Sequence, residues 1–149
     1  MTETNQRNIN REFFKSAIKR QMMRCATKEH YKAGVFTMDV KMSIVTDIIK
    51  DVAQNDFAKY LMENKPIRIS QYTTEIFFKN GSIFRVVKTT MNSRGCKFND
   101  IIYDSLTEDE VVSMIILPCL MPYYTNDYEN NEMGIDGVRP NARLIECEI

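Results

Sequence analysis

Tryptophan is absent from this 149-residue chain, histidine occurs once and glycine only five times. Each scarcity closes a class of function. His30 is the sole imidazole, set in the polar context Lys28-Glu29-His30-Tyr31, so a Ser-His or Cys-His couple has one available base and no nucleophile signature beside it. Cys25, Cys96, Cys119 and Cys147 include no Cys-x-x-Cys pair and cannot assemble zinc-type spacing with a single histidine; free, mostly buried thiols are expected. The longest apolar stretch, Met114 to Met121, falls far short of the roughly 20 residues of a membrane span and is interrupted by Pro118. The polar opening Met1-Thr-Glu-Thr-Asn-Gln lacks the apolar core of a secretory signal, which makes a cytosolic protein the expectation.

What is present is a charge division hidden by a balance of 20 Lys plus Arg against 20 Asp plus Glu. Arg7, Arg11, Lys15, Lys19, Arg20, Arg24 and Lys28 make the first segment basic, whereas no Lys or Arg occurs from Phe98 to Val138. Residues four apart share a helix face, so Arg7, Arg11, Lys15 and Lys19 form one stripe and Arg20, Arg24 and Lys28 a second. Arg11, Lys15, Lys19, Arg20 and Arg24 are therefore candidates for phosphate contact. A solvated face, or one paired with the acidic segment, is the plainer alternative. Phe13, Phe14, Ala17, Ile18 and Met22 lie between the cations and give this helix, about 8–28, an apolar side for packing.

The spacing predicts helices over about 9–27, 38–62 and 106–117, the second with a candidate break near Asn55. Ile67-Arg-Ile-Ser alternates as a short strand after Pro66. Two β-rich runs flank Lys79-Asn80-Gly81-Ser82, predicting a hairpin over 72–88 in which Asn-Gly tolerates positive φ. Asn99-Asp-Ile-Ile-Tyr-Asp104 reads as a buried strand ending in a carboxylate, and Thr107-Glu-Asp-Glu110 as a capping box opening the next helix. The segment 122–138 reads as an acidic loop, and Ala142 to Ile149 as a final strand. Residues 1–149 thus form a single α/β or α+β domain with a central mixed sheet.

Taken in order, Ile76-Phe-Phe-Lys-Asn-Gly-Ser-Ile83, Ser93-Arg94-Gly95 and Asp100-Ile-Ile-Tyr-Asp104 resemble the middle of the ATPase domain of viral large terminases, the DNA-packaging motors of bacteriophages; the resemblance covers about 67–121. It implies that Asp104 is the magnesium-associated carboxylate at the end of a parallel strand, and that Arg94 touches phosphate or senses a neighbouring subunit. Where the family has a water-activating Glu, this chain has Ser105, which is no general base near neutral pH, so Glu108, Asp109 or Glu110 would have to replace it. Nor does any Gly-x-x-x-x-Gly-Lys-Ser/Thr sequence occur, and Gly34 is the only glycine before Gly81, leaving no nest for phosphates.

The resulting expectation is a terminase-like protein without ATP turnover or cofactor. It would act in an infected cell as a DNA-packaging accessory, or as an inhibitor of a partner that handles nucleic acid. Two alternatives stay open. One is a terminase ATPase fragment completed in trans, using Mg²⁺ and ATP. The other is a DNA-mimic interaction protein working through Asp127, Glu129, Glu132, Tyr124 and Tyr128.

Overall fold

The computed structural model describes residues 3–90, 93, 95–123 and 142–149. Its sheet has six strands in the order β2-β3-β4-β1-β5-β6. In chain order, α1 (Glu3–Thr27) leads to β1 (Lys32–Thr37), a 3-10 turn (Asp39–Lys41), α2 (Met42–Asp56) and a second 3-10 turn (Ala58–Tyr60). The antiparallel strands β2 (Ile67–Ile69), β3 (Thr73–Phe77) and β4 (Ile83–Lys88) follow. Then come β5 (Asp100–Asp104), the short helix α3 (Asp109–Val111) continued by a π turn and a 3-10 turn to Cys119, and β6 (Arg143–Cys147). The pairings β4–β1, β1–β5 and β5–β6 are parallel. The chain is an α/β domain with a mixed sheet.

Strand alternation divides the core into two layers. On one face Ala33, Val35, Phe84, Val86 and Ile102 meet Phe14, Ile18 and Met22 of α1 and Val45, Ile49 and Val52 of α2. On the other, Phe36, Val87, Phe98 and Ile101 meet Ile116 and Cys119. The spacing that places Phe14, Ala17, Ile18 and Met22 inward turns Phe13 outward, where it is 54% exposed; its expected packing role is corrected.

Strand β1, the parallel neighbour of both β4 and β5, is the element the sequence pattern did not predict. Five of its six residues are buried, so it lacks the in-out alternation of a half-exposed strand. Its glycine fits a close approach: a Cβ on Gly34 would lie 2.6 Å from the Phe98 ring. The expected helix over 38–62 ends its α-helical part at Asp56, one residue past Asn55. The capping box does not form, because Glu108 is the N-cap of α3 with no side-chain bond, while the Thr107 N–H donates to the Asp104 carbonyl at 2.9 Å.

The hairpin is present, with a turn built differently from a two-residue Asn-Gly link. Phe78 N–H donates to Ser82 O at 2.9 Å and Gly81 N–H to Phe78 O at 3.2 Å, and Gly81 takes the left-handed φ of +87°. This is a three-residue loop whose last position favours glycine. Asn80 has another task. Its Nδ2 donates to the Cys25, Ala26 and Lys28 carbonyls at 2.8, 3.3 and 3.1 Å, satisfying acceptors that the end of α1 leaves free. One side chain therefore fastens the hairpin turn to the helix.

Candidate functional site

In a parallel α/β sheet the place for chemistry lies beyond the carboxyl ends of adjacent strands whose connections leave to opposite faces. Strands β1 and β5 meet that condition: β1 leads into α2 on one face, and β5 into the 109–119 segment on the other. Asp104 stands at the tip of β5, an interior strand with parallel neighbours on both sides, and is completely buried.

Its surroundings decide what it can do. Lys41, from the turn between β1 and α2, donates through Nζ to Asp104 Oδ2 at 2.6 Å, and the Leu106 N–H donates to Oδ1 at 3.1 Å. Both carboxylate oxygens are thus committed, one of them to a cation. Magnesium takes oxygen ligands in near-octahedral array. Among the described residues Asp104 is the only buried carboxylate at this tip, an ammonium seated on it does not fit that requirement, and no cluster of three His, Cys, Asp or Glu side chains is placed to hold a metal. The resemblance-derived metal role of Asp104 therefore has no support in the donor set.

Ser105 is half-buried, and its N–H donates to the Cys147 carbonyl at 2.8 Å. Glu108, Asp109 and Glu110 are exposed, and none bonds to Asp104. Burial first, the Glu146 carboxylate next and Asp109 least raise the Tyr103 phenol above its ordinary pKa. Tyr103 faces the opposite side of β5 from Asp104, so these acids open a helix on the wrong face to serve as the missing base. The β1–α2 link, Thr37-Met-Asp-Val-Lys-Met42, has the strand-turn-helix setting of a phosphate loop but contains no glycine. Thr37 is fully buried there, its hydroxyl without a hydrogen-bond partner, and Lys88 Nζ pairs with Asp39 Oδ1 at 3.2 Å. Arg94 lies outside the described residues, as do Tyr124, Asp127, Tyr128, Glu129 and Glu132.

At the other end of β5, Asp100 is buried beneath α1. Arg24 pairs with its Oδ2, the Tyr31 hydroxyl donates to the same oxygen at 3.2 Å, and Gln21 Nε2 donates to Oδ1 at 3.1 Å. Gln21 also reaches the Gly34 carbonyl at 3.1 Å, joining α1 to β1 and β5. Burial first, and the Asp100 charge next, raise the Tyr31 phenol and the Cys25 thiol above their ordinary pKa values. Arg24 is thereby removed from the set of cations offered to an outside phosphate. Neither this cluster nor the Lys41–Asp104 pair is legible in sequence, since the partners are 76 and 63 residues apart.

The other cations of α1 divide by position. From Asn5 to Phe13 no side chain of the helix is buried, so this part extends past the layer that packs on the sheet. Arg7, Arg11 and Arg20 are exposed, Lys15 is half-buried, and among the described residues none of these four has an ion pair. Lys19 lies 3.4 Å from Asp56, both well exposed, a pairing worth about 0–1 kcal/mol and easily exchanged. Among the described residues Arg7, Arg11, Lys15 and Arg20 thus stay without a carboxylate partner, with Lys19 weakly held.

No protein-family model matches the chain, and no curated protein matches it in sequence. No described helix is long and apolar enough to cross a membrane.

Proposed function

We propose that this protein binds nucleic acid through α1 and turns over no ATP: a DNA-packaging accessory on a terminase-like α/β scaffold, working in the cytoplasm of an infected cell. The observation that carries the reading is the pairing of Lys41 with Asp104, which fills the strand tip where a motor would hold its metal. The interior, parallel setting of β5 supports the scaffold likeness, and the glycine-free β1–α2 link supports the loss of nucleotide machinery. Binding is supported by Arg7, Arg11 and Lys15, which have no ion pair among the described residues and follow one helix ridge at four-residue spacing along the first half of α1.

Phosphate contact through such a ridge is electrostatic and sequence-tolerant. Fluorescence anisotropy with labelled duplex DNA at low salt tests it. Wild-type protein should bind with affinity that falls steeply as salt rises, and Arg11→Glu/Lys15→Glu should lose that binding while keeping its thermal transition. Equal affinity of the variant and wild type would refute the assignment of α1.

A further inference from the structure

The outward face of α1 carries a second pattern that phosphate contact does not use. A helix with one side packed on a sheet ordinarily presents polar residues on the other. Here Ile9 is 50% exposed and Met23 48% exposed on that outer side. At about 100° per residue, Ser16 lies between them on the wheel, and Ile9, Glu12, Arg20 and Met23 all fall within about 40° of it. Glu12, Ser16 and Arg20 are exposed, and among the described residues neither Glu12 nor Arg20 has an ion pair.

The order along the ridge is self-complementary when reversed about Ser16. Ile9 and Met23 lie seven residues to either side, about 10 Å along the axis, and Glu12 and Arg20 four residues to either side, about 6 Å. We propose that this ridge is the interface of a homodimer, in which α1 packs antiparallel on α1 of a second copy about a two-fold axis at Ser16. Ile9 then meets the partner's Met23, and Glu12 meets the partner's Arg20, each contact occurring twice as an isologous interface requires. Ser16 at the crossing lets the two helices approach closely. Charge selects the direction, since a parallel pairing would set Glu12 against Glu12 and Arg20 against Arg20. Arg7, Arg11 and Lys15 lie off the ridge, so the inference is independent of the nucleic-acid reading.

Sedimentation equilibrium of the full chain without DNA tests it. The wild type should show a concentration-dependent monomer–dimer equilibrium. Ile9→Glu and Glu12→Arg should each raise the dissociation constant about tenfold or more, and the charge-exchanged Glu12→Arg/Arg20→Glu should restore it toward wild type. Because these side chains are exposed, the thermal transitions of the variants should match wild type, separating lost association from lost folding. A second check is an equimolar mixture of Ile9→Cys and Met23→Cys chains, which under mild oxidation should give the mixed crosslink in preference to either self-crosslink. A monomer throughout the concentration range, or a dimer unaffected by both Ile9→Glu and Glu12→Arg, would overturn the proposal.

Discussion

Replacing Lys41 with methionine isolates what the ion pair at the strand tip contributes. Methionine keeps most of the apolar stem but removes the ammonium charge at Nζ, leaving Asp104 Oδ2 without its 2.6 Å partner. Asp104 is completely buried, so water cannot take over, and only the Leu106 N–H remains to solvate the carboxylate. Breaking a buried pair on one side costs about 3–5 kcal/mol, and with a urea m-value of about 2 kcal/mol per molar the unfolding midpoint should fall by roughly 2 M. Far-UV circular dichroism suits the measurement, because the chain has no tryptophan to report by fluorescence. The double variant Lys41→Met/Asp104→Leu removes both charges and should recover most of the loss. A single-variant loss below about 1 kcal/mol, or a double variant no better than the single, would refute the view that this lysine neutralises the buried carboxylate.

Asn80→Ala should cost about 1–3 kcal/mol, since it strips a donor shared by the Cys25, Ala26 and Lys28 carbonyls, and hydrogen exchange should rise selectively in the last turn of α1. Stability should also decline in alkali. The Cys25 thiol and the Tyr31 phenol have folded-state pKa values raised above the ordinary 9.0 and 10.0, so their contribution is complete below about pH 9 and is lost as pH rises and the unfolded chain releases protons the folded chain retains. Thermal unfolding from pH 7 to 11 should show that decline, and Cys25→Ala should make it shallower; a flat profile would contradict the sign.

The parts of the fold visible in sequence are those whose signals are local. The hairpin announces itself by β-rich runs around Asn80-Gly81, the second helix by apolar spacing from Val45 to Val52, and β5 by Ile101-Ile102-Tyr103. Strand β1 is not visible because burial on both faces removes its alternation, and Gly34, there to clear the Phe98 ring, reads locally as a breaker. The same division holds at the site. Asp104 could be placed at a strand end from sequence alone, but its closure by Lys41 depends on two strands lying side by side, and Arg24 could be counted as a surface cation only until Asp100 was found beneath it. Phe13 and Phe14 are adjacent and equally apolar; which one turns inward depends on the phase of α1 against the sheet.

Phosphate release from Mg²⁺–ATP by the purified protein, with and without duplex DNA, tests the proposal that this chain grips nucleic acid without consuming nucleotide. No release above the buffer rate is expected for the wild type or for Asp104→Ala. Turnover by the wild type that Asp104→Ala abolishes would contradict it.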